Sequence, residues 1–489
     1  MSSKYSRRGF GKAVAGIASA AAAARPGAVA GAANNRARAE ENYYRFPSGF
    51  LWGCATASYQ IEGAAAEDGR KPSVWDTYAR TPGKVHNGDT GDVSVDDYHR
   101  YKEDVGLLKA VGGKCYRYSI AWPRVFPEGS GQPNAKAVDH YDRVTDELLA
   151  QGIEPFVTLF HWDLPQALQD RVGGWESKET VKAFADYSAF MTRRLSDRVH
   201  NFFTINEFSC FTDEGYGSGT KAPGLTLSRA RVNQVRHNAV LAHGMAVQAI
   251  RAAARPGTRV GLAENPSLCV PVIESAPHVR AAQQAMRDVN AQFLTVILEG
   301  RYLDSYLSRE REAAPKYTAE EMKIIASPLD FVGLNIYTPT YIRAASSQAG
   351  YEVVPYPTSY PKTASPWLMV GPEIAYWAPR HLGEIWSVKD AYITENGCSS
   401  DDVVATDGHV YDTDRVMYVR NHLIHAHRAV AEGWPLRGYF WWSLMDNFEW
   451  TDGYSKRFGI YYVDFKTQKR IPKLSASFYK ELIARNAVV

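Results

Sequence analysis

Two short stretches place a glutamate directly behind an apolar run: Thr204-Ile-Asn-Glu207 and Ile393-Thr-Glu395-Asn-Gly397. Taken alone, either glutamate reads as well as the neighbour of a helix N-cap or as a salt-bridge partner. Other polar residues close similar runs: Gln60, Arg117, His161-Trp162, Asn206, Asn335 and Tyr337, Asn396, and Trp442. Two carboxylates beside amides, an imidazole, an arginine and indoles form the inventory needed to grip hydroxyls and break an acetal.

That inventory converges only if the runs are strands that end on one side of a common sheet. Eight β-rich runs, residues 50–53, 115–119, 155–160, 201–205, 259–263, 331–336, 391–394 and 438–442, fit this need. Between them lie helical patterns over 95–111, 137–151, 178–195, 229–254, 279–299 and 413–432. Eight strands alternating with helices predict an α/β fold, a single (β/α)8 TIM barrel with its chemistry at the C-terminal strand ends. No composition shift or Gly/Ser linker marks a second domain. The 489 residues, 45% hydrophobic and 22% charged, exclude a disordered, collagen-like or coiled-coil chain. Aromatic residues reach 12%, and their flat apolar faces suit sugar rings as well as cores.

The N-terminus reads as an export signal. Ser6-Arg-Arg-Gly-Phe-Gly-Lys12 precedes a small, mildly apolar run over 13–24, and Ala28-Val-Ala30 fits an A-x-A cleavage site. This pattern resembles a twin-arginine signal, which implies the twin-arginine export machinery as a partner and a periplasmic or secreted location. The run lacks the polar face of an amphipathic helix and is too short to span a bilayer. Cleavage after Ala30 removes Lys4, Arg7, Arg8, Lys12 and Arg25, taking the net charge from +3 to −2. The remaining basic residues are dispersed among acids, so no nucleic-acid partner and no membrane insertion of the mature chain is expected. The expected organisation is a signal over 1–30, a flexible tether over 31–42 and the barrel over 43–489.

Other signals carry less. Cys54, Cys115, Cys210, Cys269 and Cys398 are odd in number, far apart and without a CxxC pair, which predicts free, buried thiols. His422, His425 and His427 crowd one helix without an H-E-x-x-H pattern, so a solvated face is expected and no metal. Gly217-Ser-Gly219 is followed by Pro223 where a phosphate-binding helix should start; it reads as a loop on the substrate side, with no nucleotide cofactor.

Along the whole barrel the chain resembles glycoside hydrolase family 1, the β-glucosidase family. The resemblance is carried by Phe46-Pro-Ser-Gly-Phe-Leu-Trp-Gly-Cys-Ala-Thr-Ala-Ser-Tyr-Gln-Ile-Glu-Gly63, Arg117-Tyr-Ser-Ile-Ala-Trp-Pro-Arg124 and Leu159-Phe-His-Trp-Asp-Leu-Pro165. The two glutamate motifs, Gly333-Leu-Asn-Ile-Tyr337 and Trp442-Ser-Leu-Met-Asp-Asn-Phe-Glu-Trp450, continue it in order. It implies a retaining β-glycosidase, with Glu207 as general acid/base and Glu395 as nucleophile, acting on a small β-glycoside without cofactor or metal. Arg117 and Tyr337 are implied beside the nucleophile, where charge and a hydroxyl donor favour its carboxylate form. Gln60, His161, Trp162, Asn206, Asn335, Tyr337, Trp442, Glu449 and Trp450 are implied in sugar binding, and Trp367 on the leaving-group side. Related phospho-glycosidases carry Ser at the place of Glu449 and Tyr at that of Phe458, which disfavours a phosphosugar. Glucose is the expected glycone, with galactose or fucose as alternatives. A transglycosylating enzyme and a non-catalytic glycoside-binding protein remain the other readings, and loops over 225–227, 344–377 and 399–411 are expected to select the aglycone.

Overall fold

A computed structural model describes residues 44–489, so the stretches expected to be an export signal and a tether, 1–30 and 31–42, lie outside the described residues. One compact unit spans Phe46–Val489. Its centre is a closed parallel barrel of eight strands: β1 Leu51–Ala55, β2 Cys115–Ser119, β3 Glu154–Phe160, β4 Asn201–Asn206, β5 Arg259–Glu264, β6 Phe331–Asn335, β7 Ala391–Asn396 and β8 Leu436–Trp442. Each strand pairs with its neighbours in sequence, and β8 closes on β1 with Leu51 opposite Gly438. All eight expected strands are present, each displaced by at most two residues at either end.

The barrel is filled by aromatic rings. Phe156 on β3 meets Phe440 on β8 at 5.0 Å between centroids and Tyr392 on β7 at 5.6 Å. These strands are not neighbours, so the contacts cross the interior. Phe203 on β4 packs on Phe331 at 5.0 Å and lies under the Arg117 guanidinium at 5.2 Å. The plug gives the pocket above it a rigid apolar floor.

Helices surround the barrel as the alternation requires. Lys178–Leu195 matches its expected range, and Asp97–Ala110, Ala135–Ala150, Arg229–Ala253 and Thr413–Ala431 differ from theirs only at the ends. The pattern over 279–299 is not one helix but two, Ala276–Val289 and Leu294–Glu299. The break is local: the Asn290 amide turns inward to bond the Ser267 and Met286 carbonyls, and Phe293 leaves the helical conformation. Two small sheets were not foreseen, one of Leu268–Pro271, Pro339–Ala344 and Tyr351–Val353 and one of Tyr461–Asp464 and Lys469–Pro472. They are built from loop segments outside the barrel, where short strands carry little periodicity.

The five cysteines are buried and free. The solvated histidine face needs correction: His422 is fully buried, donates from Nδ1 to the Tyr418 carbonyl at 2.8 Å and packs on the Tyr418 ring. Its helix turns that side toward its neighbours, and only His425 and His427 are partly exposed. Among the described residues no helix is long and apolar enough to cross a membrane.

Candidate active site

The C-terminal strand ends surround a cleft of about 520 Å³. Glu207, His161, Trp162, Tyr337, Trp367, Glu395, Trp442, Glu449 and Trp450 line it. Gln60, Arg117, Asn206 and Asn335 stand behind this lining, almost wholly buried, and join it through hydrogen bonds. The structure therefore brings every sequence-expected site residue to one end of the barrel.

Glu395 leaves β7 where the chain passes unusually close to β8. A Cβ at Gly397 would lie 1.9 Å from the Trp442 carbonyl oxygen, so only glycine allows this approach. One Glu395 oxygen accepts from Arg117 at 2.6 Å and the other from the Tyr337 hydroxyl at 3.0 Å. Arg117 is held in turn by Thr158 Oγ1, the Thr394 carbonyl and Asn206 Oδ1.

Glu207 has different company. Its Oε1 accepts from the Asn335 amide at 2.8 Å, and Cys210 Sγ points at Oε2 from 3.4 Å. The Thr394 hydroxyl donates to Asn335 Oδ1, which fixes the orientation of that amide. Burial raises both carboxyl groups, and repulsion from Glu207 adds to the rise at Glu395. The Arg117 guanidinium bonds Glu395 and not Glu207, so a proton shared by the pair belongs on Glu207 and the negative charge on Glu395.

The same reasoning orients His161. Asn206 Oδ1 accepts from Arg117 and Asn335, so its amide nitrogen donates to His161 Nε2 at 3.0 Å. Burial, Arg117 and Lys221 keep the imidazole neutral, leaving its proton on Nδ1. That Nδ1, and Gln60 Oε1, have no partner among the described residues. Buried polar atoms of this kind are costly unless something pairs with them, and a sugar's hydroxyls fit both a donor and an acceptor. Gln60 donates to the Asn447 side chain, the Phe448 carbonyl and Glu449. Burial and Asp452 push Glu449 up to about 8.

Indoles complete the walls. Trp162 and Trp450 sit 4.3 Å apart between centroids, and His161 stacks near Trp442 at 6.0 Å. Trp162, Glu207 and Trp450 all hold positive φ, at 76°, 49° and 51°, a conformation non-glycine residues adopt where surrounding structure enforces it. Trp367 stands at the rim, 50% exposed, edge-on to Tyr337.

Several lining residues escaped the sequence reading: Cys210, Glu214, Lys221, Asn265 and Asp452. Lys221 Nζ lies 3.4 Å from Glu214 and 4.6 Å from the Trp162 ring centre. It comes from the loop read as substrate-facing, although Gly217, Ser218 and Gly219 themselves do not line the cleft. Of the loops expected to select the aglycone, 344–377 contributes Trp367, whereas residues of 399–411 line a separate cleft. Asn265 had a usable signal, since Glu264-Asn265 ends β5 as Asn206-Glu207 ends β4.

The sequence model for "Glycosyl hydrolase family 1" matches residues 42–488. The chain belongs to this family. A family 1 relative, "Beta-glucosidase A" of Thermotoga maritima, is 44% identical over 91% of this chain and 99% of its own. The "Bifunctional beta-D-glucosidase/beta-D-fucosidase" of Bifidobacterium breve is 40% identical, covering 90% and 98%. The solved "Beta-glucosidase from Thermotoga maritima in complex with glucoimidazole" superposes with a TM-score of 0.83 at 42% identity, over 91% of this chain and all of that one. The barrel described above is thus the family 1 barrel.

Proposed function

We propose that this family 1 enzyme is a retaining β-glucosidase that releases terminal, non-reducing β-D-glucosyl residues. The observation that carries the reading is the unequal pair: Glu395 bonded to Arg117 and Tyr337, and Glu207 bonded to the neutral Asn335 amide. Glu395 attacks the anomeric carbon while Glu207 protonates the departing oxygen, giving a covalent glycosyl-enzyme. Esterification removes the negative charge from Glu395, which lowers the pKa of Glu207 and lets it take a proton from the incoming water. His161, Gln60, Asn206 and Glu449 hold the ring hydroxyls, and Trp442 and Trp450 face the ring. Trp367 receives the leaving group at the rim.

Unphosphorylated substrates suit this site. Lys456 Nζ is already engaged with the Ala364 carbonyl at 2.9 Å, Phe458 lines the cleft with no polar group, and the Glu449 carboxyl offers a 6-phosphate no positive charge. Hydrolysis of chromogenic β-glucoside, β-galactoside, β-fucoside and 6-phospho-β-glucoside tests the assignment. Release from the β-glucoside with no detectable release from its 6-phosphate is expected; a preference for the phosphate would overturn the reading.

Residues 1–30 are further proposed to be a twin-arginine signal that delivers the folded enzyme to the periplasm or beyond. The Arg7-Arg8 pair, the apolar run and Ala28-Val-Ala30 support this. In a host with that pathway, changing Arg7→Lys and Arg8→Lys together should leave full-length protein in the cytoplasm, where the parent yields a shortened exported form. Equal export of both on fractionation would refute it.

A further inference from the structure

We infer that Glu264 is a positioning residue for Glu207, holding the backbone turn that aims the proton donor at the leaving group. This rests on the reading of Glu207 as the general acid/base. The end of β5 grips the residues after β4 one at a time. The Glu207 N–H donates to the Ala263 carbonyl at 2.8 Å, and the Phe208 N–H donates to Glu264 Oε2 at 3.0 Å. Ser209 Oγ then donates to Asn265 Oδ1 at 3.2 Å, while the Asn265 amide approaches Cys210 Sγ, which points back at Glu207 Oε2.

The grip is needed because Glu207 has φ 49° and ψ 83°, a conformation a β-carbon makes unfavourable. The N–H groups on both sides of its α-carbon are the two that Ala263 and Glu264 hold, so this pair fixes the peptide planes that set the direction of its side chain. The Ala263 contact is between main chains and survives any substitution. The Glu264 contact is made by a side chain, buried at 2% exposure, which has no other described task. Phe208 opens a helix of only five residues, Phe208–Thr212, whose first N–H would otherwise lack a partner inside the protein. Charged or titratable groups facing Glu264 are Glu207 and Asp213, both acidic, and burial together with them pushes Glu264 up to about 8. A largely protonated carboxyl at neutral pH is well imitated by glutamine, whose carbonyl oxygen can accept the same N–H.

A misdirected acid harms substrates in proportion to their need for a proton. Kinetics of the full enzyme with phenyl, 4-nitrophenyl and 2,4-dinitrophenyl β-glucosides therefore separate positioning from general damage. Glu264→Ala is expected to lower kcat/KM about 10- to 100-fold for the phenyl glucoside and by less than about 2-fold for the dinitrophenyl one, whose phenolate departs without protonation. Glu264→Gln should stay close to the parent with all three. Glu264→Asp withdraws the acceptor by one methylene and should show a smaller gradient of the same sign, which serves if the alanine variant does not fold. Uniform loss across the leaving groups, or none, in both the alanine and aspartate variants overturns the inference. Glu207→Ala is run in parallel. A leaving-group gradient there with none at Glu264 overturns the positioning role alone, whereas its absence at Glu207 removes the acid/base reading and this inference with it.

Discussion

Glu395→Gln is expected to lower kcat for 4-nitrophenyl β-glucoside by about 10⁴-fold or more, with the far-UV circular dichroism unchanged. An amide matches the carboxylate in shape but is a poor nucleophile, so the covalent intermediate does not form. The fold should survive. Arg117 loses its carboxylate partner, yet keeps Thr158, the Thr394 carbonyl, Asn206 Oδ1 and the new amide oxygen as acceptors. The variant also relieves a cost: burial and the charge of Glu207 raise the Glu395 carboxyl above the usual carboxylate range, with Arg117 and Tyr337 holding the rise back. A carboxyl raised in the folded state opposes folding increasingly as pH rises from its unfolded value toward the folded one. The stability of Glu395→Gln relative to the parent should therefore improve as pH rises out of the carboxylate range, as thermal unfolding compared in acid and at neutral pH would show. Truncation to Ala opens space beside the anomeric carbon. Formate should then restore turnover of an activated β-glucoside with the first product inverted, because the added anion replaces Glu395 on its own face of the ring. Wild-type-like turnover by Glu395→Gln, or a retained product with formate, would exclude Glu395 as the nucleophile.

The barrel was legible because alternation survives without any long-range information. Each core strand is a short apolar run ending in polar residues, and strands such as Cys115–Ser119 keep both edges in the sequence pattern. What escaped depends on contacts between distant segments. The break between Ala276–Val289 and Leu294–Glu299 is set by Asn290 reaching the Ser267 carbonyl, which helical periodicity cannot reveal. His422 is buried because its helix packs inward on that side, although its neighbours His425 and His427 look alike in sequence. At the site, residues at or shortly behind strand ends, Gln60 among them, were readable, and family resemblance supplied Trp367, Glu449 and Trp450, which lie farther from any strand end. Lys221 was not readable, since its loop returns to Trp162 only through the tertiary fold. Glu264-Asn265 was readable by the rule that found Asn206-Glu207, and it is the pair that grips the turn carrying Glu207.

Glu207→Ala is expected to be the variant whose defect depends most on the leaving group. Loss of a general acid costs about 10²- to 10⁴-fold, and that full cost should appear with phenyl β-glucoside. With 2,4-dinitrophenyl β-glucoside, glucosylation of Glu395 should proceed nearly unimpaired, so a rapid first turnover is followed by slow release. The second step lacks its base. Azide needs none, and it should accelerate release while giving a β-glucosyl azide of retained configuration. The pH profile of kcat/KM for the 4-nitrophenyl substrate, whose departure still gains from a proton, should change on one side only. In the parent, activity requires one proton on the pair: it falls at low pH as Glu395 becomes protonated and at high pH as Glu207 ionises. Removing Glu207 abolishes the high-pH limb. Glu207 is protonated and uncharged across the low-pH limb, so that limb, set by Glu395, should stay close to its place in the parent. An unchanged bell in Glu207→Ala, or azide giving no acceleration, would place the proton donor elsewhere in the cleft. Cys210 and Lys221 are the lining groups beside Glu207, and Lys221 stays charged, its ammonium held well above the ordinary lysine range with Glu214 as its carboxylate neighbour. Burial raises the Cys210 thiol as well, so neither group releases a proton near neutral pH, and the carboxyl of Glu207 is the acid matched to the task.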